Sequence, residues 1–232
     1  MKIDLHAHTS YGSACSYMEP DQLIESAKAA GLDGVCITEH NQFWSPEAVL
    51  RLRKKHDFLV ISGAEVSTDC GEILVFGMYR SVVNVFKAKK LKRMVAKAGG
   101  VMVLAHPFRT EHRTIQEHLQ EENDGSNNGS TNLEAVCERP VFSLIDALEV
   151  YNGRSGLSET DFAALVAERL NLGSTGGSDA HGSLAVGSCY TVFENNIESE
   201  QEFIAEIKGG RFYGVDPRWQ KYNMSEEIRR LM

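Results

Sequence analysis

Short apolar runs alternate with longer amphipathic ones along most of the chain, the rhythm of an α/β fold with parallel strands. Strand-like runs end at Asp4-Leu5, fill 34–38, 58–63, 72–77, 101–105 and 147–150, and recur more weakly at 173–177 and 189–193. Helical spacing separates them. Pro20-Asp21 opens a helix that sets Leu23, Ile24, Ala27 and Ala30 on one face before Gly31 stops it. Further helices are predicted over 46–56, around Leu91, Met94, Val95 and Ala98 up to Gly99-Gly100, over 159–170, and over 198–208. Val101-Met102-Val103-Leu104-Ala105 reads as the clearest buried strand, and Pro107 forces the chain out of the sheet just after it.

One stretch breaks the rhythm. Residues 110–140 begin with helical capacity and then run through Glu121-Glu122-Asn123-Asp124-Gly125-Ser126, which has nothing to bury. It is expected to be a surface excursion or lid, since long loops in compact domains are functional or disordered.

Chemistry collects where the strands end. In Asp4-Leu5-His6-Ala7-His8-Thr9, residues i and i+2 of an extended strand project to the same face, so His6 and His8 present two imidazoles side by side. Downstream, His40, Glu65, His106, and Asp179 with His181 follow other strand-like runs. Parallel α/β folds gather the C-terminal ends of their strands on one face, where their sites are built. Any one of these side chains could be a hydrogen-bonded structural residue. As a set they are best explained by a polynuclear metal site. His56, His112 and His118 fall in helical or loop contexts and are expected at the surface.

Composition narrows the field. With 232 residues and 42% hydrophobic content, one domain spanning 1–232 is expected. A net charge of -8 argues against a protein that grips a nucleic-acid backbone, leaving at most a nucleotide or short oligonucleotide. The chain begins Met1-Lys2-Ile3-Asp4-Leu5 without a signal-peptide pattern, and no apolar run approaches a membrane span. The scattered cysteines, Cys15, Cys36, Cys70, Cys137 and Cys189, fit reduced thiols, so a cytoplasmic location is expected.

The ordered set Asp4-Leu5-His6-Ala7-His8-Thr9, Ile37-Thr38-Glu39-His40, Gly63-Ala64-Glu65-Val66-Ser67, Ala105-His106-Pro107 and Gly177-Ser178-Asp179-Ala180-His181 resembles the polymerase and histidinol phosphatase (PHP) family of metal-dependent phosphoesterases. The resemblance implies a distorted (β/α)7 TIM-like barrel carrying two or three divalent metal ions (Zn, Mn or Fe). It implies that His6, His8, Glu65 and Asp179 hold a first ion, that Glu65 bridges to a second held with His106, and that His40 and His181 hold a third. Two positions depart from the pattern. Ser13-Ala14-Cys15 stands where relatives often carry an acidic residue or His, and Gly71-Glu72 where many supply a His. A carboxylate ligand at Glu72 would favour harder ions such as Mn or Fe over Zn.

Such a site suits phosphoester hydrolysis, because two nearby metal ions acidify a water held between them and stabilise the leaving oxygen. Arg109, beyond His106-Pro107-Phe108, and Arg154, beyond Tyr151-Asn152-Gly153, are the candidates for gripping a phosphate. Asp179 or His181 is the candidate for handling the leaving-group proton. The expected substrate is a small phosphorylated metabolite or a nucleotide. An amidohydrolase-type metal-dependent hydrolase, a non-catalytic metal-stabilised module and a DNA exonuclease are the alternatives.

Overall fold

The computed structural model describes residues 1–109 and 132–218. Among them, β1 (Lys2–Asp4), β2 (Gly34–His40), β3 (Leu59–Thr68), β4 (Gly71–Phe76), β5 (Val101–Leu104), β6 (Ala147–Asn152), β7 (Gly173–Gly177), β8 (Tyr190–Phe193) and β9 (Phe212–Val215) form one sheet. Its order is β7-β6-β5-β4-β3-β2-β1-β8-β9. The two remote ends of the β1–β7 part come together. Asp179 donates its backbone N–H to the His6 carbonyl (2.7 Å), and His8 donates to the Ala180 carbonyl (2.9 Å). The sheet therefore curls into a nearly closed barrel, with the β8–β9 hairpin appended along β1.

Helices α1 (Pro20–Ala29), α2 (Pro46–His56), α3 (Ala88–Ala98), α4 (Asn132–Cys137), α5 (Leu157–Leu170) and α6 (Glu200–Gly209) are the helices of the described residues. Their ends are written in the sequence. Pro20 and Pro46 occupy the first turn, where a missing N–H costs nothing. Ser45 and Ser199 accept from backbone N–H groups three residues on, and Gln22, Glu159 and Glu202 reach back to the cap backbone. Gly99 and Gly210 close α3 and α6 in the left-handed region (φ 80° and 66°), which costs glycine little.

Within β1–β7 the strict strand–helix repeat fails at one place. β3 and β4 are joined at Asp69-Cys70 without a helix, and β4 runs antiparallel to both neighbours. A parallel crossover needs a dozen or more residues, which this interval lacks. The reversal changes what reaches the functional rim: β4 contributes its first residues there, with Glu72 opposite Ser67 of β3. Two strands are also longer than the apolar pattern indicates. β3 continues through Thr68 and β2 through His40, so Glu65 and His40 lie within strands rather than just past them. The pattern gave no strand over Phe212–Val215.

Of the excursion at 110–140, residues 110–131 lie outside the described part, together with His112 and His118. Its end is not coreless. Val136 of α4, and Val141 and Phe142 in the 3-10 turn Pro140–Ser143, are buried against Phe108, Leu148 and Phe162. His56 also departs from expectation: its side chain is 8% exposed, with Nε2 2.6 Å from Asp21 and Nδ1 3.0 Å from Glu25.

Candidate metal centre

His6 and His8 project from the extended segment just after β1, both fully buried, with their Nε2 atoms 3.1 Å apart. Glu65 of β3 sits between them and two further imidazoles. Its Oε1 lies 2.9 Å from Nε2 of His106 and 3.3 Å from Nε2 of His6. Its Oε2 lies 3.0 Å from Nδ1 of His40 and 3.3 Å from Nε2 of His8. Asp179, just past β7, faces the same space, with Oδ1 3.4 Å from His8 Nε2 and 3.7 Å from His6 Nε2. The His181 ring lies 4.4 Å from the His8 ring, tilted against it, and Glu72 brings Oε2 to 3.7 Å from His106 Nε2. All eight side chains singled out as candidate ligands thus converge on one end of the barrel. Cys15 does not join them; it is exposed, beside Arg154 and His181 in an open depression.

The donor chemistry fits divalent cations. Nδ1 of His6 lies 3.0 Å from Oε1 of Glu149, an oxygen that only accepts, so the ring proton resides on Nδ1 and a lone pair on Nε2 points into the cluster. His8 is fixed the same way: the Ser13 hydroxyl donates to Glu39 and accepts from His8 Nδ1 at 3.2 Å. Neutral imidazole lone pairs and carboxylate oxygens then face one another in a buried space, which needs cations or trapped protons between them. Donor atoms of His6, His8 and Asp179, of His8, His40 and His181, and of His40, Glu65 and Glu72 lie within 4.8 Å of one another in each group.

Without a cation, protons take up the strain. Burial alone would lower His6, but Glu149, Glu65 and Asp179 hold it well above the usual imidazole value. Burial pushes His8 down to about 4, outweighing its hydrogen bond to Asp179. Burial would raise Glu65 and Asp179, yet the facing imidazoles, joined at Asp179 by Arg109, hold both well below the carboxylate range. His40 is raised by its hydrogen bond to Glu65.

The supporting residues are the part that the motif reading missed. Glu149 of β6 is buried and accepts from His6, from the His106 backbone N–H (3.0 Å) and from Asn152 Nδ2 (3.0 Å). Its signal was a charge inside the apolar run Ala147-Leu148-Glu149-Val150. Asp4, also buried, accepts backbone N–H groups from His6, Ser178 and Gly187, tying β1 to the chain after β7. Burial pushes its carboxyl up to about 6 against those bonds. His106 and Asp179 have left-handed backbones, with φ of 26° and 52°. For His106, which precedes a proline, this is a strained conformation held by its surroundings, as functional side chains often are.

The two candidate phosphate grips differ in position. Arg109 donates through Nη2 to Asp179 Oδ2 and to Asn152 Oδ1 (2.7 Å), at the edge of the cluster. Arg154 lies farther out, its Nη1 3.2 Å from His181 Nδ1. Arg218 pins the loop that carries Arg154: it pairs with buried Asp216 and donates to the carbonyls of Asn152 (3.1 Å) and Gly153 (3.2 Å).

A PHP domain model matches residues 4–139 and a PHP-associated model matches residues 158–212. The chain belongs to the PHP family. An uncharacterised protein of Methanocaldococcus jannaschii is 29% identical over 218 residues, covering 90% of this chain and 79% of that one. Among solved structures, a two-domain protein of Bacteroides vulgatus containing a predicted PHP-like metal-dependent phosphoesterase superposes with a TM-score of 0.66 at 17% identity, over 93% of this chain and 64% of that one. The lesion-specific endonuclease EndoQ of Pyrococcus furiosus superposes with a TM-score of 0.57 at 20% identity, over 94% of this chain and 59% of that one. At these identities the two solved structures share the fold of this PHP chain. PHP domains bind divalent metals, and the clustered His, Glu and Asp donors are suited to that role. Among the described residues, no helix is long and apolar enough to cross a membrane.

Proposed function

We propose that this PHP protein is a metal-dependent phosphoesterase that hydrolyses a small phosphorylated metabolite or nucleotide. The observation that carries the reading is Arg109: its guanidinium stands at the edge of the donor cluster, on Asp179 and Asn152, where a phosphate bound to the cluster would meet it. His6, His8, Glu65 and Asp179 would hold one ion, Glu65 would be shared with a second held by His106 and Glu72, and His40 with His181 would serve a third. Divalent ions in such a site supply an acidified water and positive charge for the phosphoryl oxygens. The chain's own groups do the rest. Glu149 and Ser13 keep the His6 and His8 lone pairs turned inward. Arg109 forks onto the phosphoryl oxygens, and Arg154 reaches the same group from the His181 side. In the overall step the water oxygen bonds to phosphorus, the ester P–O bond breaks, and a proton passes to the leaving oxygen. His181, partly exposed beside Asp179, is the group proposed to deliver it.

The PHP match favours this reading over an amidohydrolase-type hydrolase. The test pairs metal analysis with hydrolysis of an aryl phosphate and its bis-aryl diester, with and without added Mn or Zn. Two or three ions per chain with metal-dependent turnover are expected, and Arg109→Ala should lower kcat/KM about 10- to 100-fold at unchanged metal content. Bound metal without turnover on any ester would replace this reading with a non-catalytic metal-stabilised module.

A further inference from the structure

Beside the metal centre lies a cavity of about 480 Å³, within the range of small-molecule pockets, about 300–1,000 Å³. It shares Glu72, His106 and Arg109 with the centre, so a phosphate seated there would point its ester oxygen towards the cavity or away from it. One wall is apolar, formed by Leu104, Pro107, Phe108, Val141 and Phe142, while Arg139 also lines the cavity and already has a partner of its own. This wall is rigid. Phe108 packs edge-to-face on Phe162 with ring centroids 4.8 Å apart, and Phe108, Val141 and Phe142 belong to one buried core cluster. The Asp69 carboxylate on the same cavity is already engaged, by Lys87 (3.1 Å) and by the Ala88 N–H (2.9 Å).

A second, more open depression of about 550 Å³ lies on the His181 side, lined by Cys15, Arg154, Asp179, His181 and the segment 182–185 with its fully exposed Leu184, and no Phe, Tyr or Trp side chain lines it. The two sides of the centre are therefore chemically unequal. An alcohol rich in hydroxyls would lose water against the apolar wall without regaining hydrogen bonds. A flat apolar ring would gain from the same burial.

Resting on the phosphoesterase reading, we infer that the cavity between β4, β5 and the 3-10 turn Pro140–Ser143 is the leaving-group subsite, and that it selects phosphate esters of ring-bearing alcohols over open-chain polyol or sugar phosphates. Val141 and Phe142 are its specificity-determining residues.

The experiment compares 2-phenylethyl phosphate with ethyl phosphate, two esters of similar leaving-group acidity, on the metal-loaded protein. In parallel it measures binding of the non-hydrolysable 2-phenylethylphosphonate and ethylphosphonate by thermal shift. The phenyl compounds should be preferred at least about tenfold in both assays. Val141→Trp, which adds bulk to the cavity wall, should abolish the preference in both assays. Phe142→Leu provides a milder variant with the same expected direction should the tryptophan not fold. Turnover of both esters without preference, or a preference that survives both substitutions, overturns the subsite and leaves the phosphoesterase standing. Phosphonate preference lost in the variants, with no ester hydrolysed, supports the subsite and overturns the phosphoesterase.

Discussion

Nδ1 of His6 and Oε1 of Glu149 meet at 3.0 Å in a fully buried contact between residues 143 positions apart in the chain. A carboxylate behind a ligating imidazole fixes its tautomer and raises its basicity, and losing such a partner usually weakens metal binding 10- to 100-fold. Glu149→Gln is expected to fold and to lose metal affinity by about that factor, because a glutamine can present its NH2 where His6 needs an acceptor. Competition against a chromogenic chelator measures it. Unchanged affinity would mean that Glu149 serves packing alone.

Gly177 lies directly behind this pair. A Cβ there would sit 2.4 Å from His6 Cβ and 2.7 Å from Glu149 Oε1, both held in place by β1 and β6. Gly177→Ala should cost about 1–3 kcal/mol of stability, the usual penalty for overpacking, and should lower metal affinity by displacing His6. Gly182→Ala is the control. Nothing lies within 4 Å of a Cβ at that position, and its stability should stay within about 0.5 kcal/mol of the parent. Urea unfolding of the metal-loaded proteins compares the two, and equal stabilities would remove the steric argument.

Protons and metal ions compete for the same atoms, so metal-free and metal-loaded protein should respond to pH in opposite ways. His6 and His40 are raised in the folded state above their ordinary value of 6.5. Their stabilisation is fully present below that value and is lost as pH rises through the raised ones. Glu65 and Asp179 are depressed, and theirs is lost only as pH falls below the ordinary values of 4.5 and 3.8. His8, lowered to about 4, has delivered its contribution once pH exceeds 6.5. As pH rises above about 7 the chelated protein should therefore lose thermal stability, while the gain in Tm on adding Zn or Mn should grow. Differential scanning fluorimetry over that rise decides it; a chelated protein whose Tm holds or rises contradicts the proton-filled cluster.

Much of the centre is legible from sequence because every ligand-type residue except Glu72 follows an apolar run, and a barrel brings such positions together whatever the connecting helices are. What the motif pattern does not reveal is support from within a strand. Glu149 lies inside a run that otherwise reads as core, and its partners are 43 and 143 residues away. The reversal of β4 was available but needed a length argument: the stretch between the strand-like runs at 58–63 and 72–77 is too short for a parallel crossover. Asp216 and Arg218 carry no motif, and only the fold brings them under Asn152.

The reversed strand makes one corner of the centre interchangeable. Candidate donors such as His6, His8 and Glu65 are buried in the barrel end, so changing them disturbs the barrel. Glu72 instead enters ahead of Ile73-Leu74-Val75-Phe76, four fully buried residues that anchor the strand without it, and its side chain is 38% exposed. A hard oxygen donor there can be exchanged for a softer nitrogen one at little expense to folding. As a proposed ligand, Glu72 is thus the rim position at which a substitution would change metal preference while the barrel and the other candidate donors stay as they are.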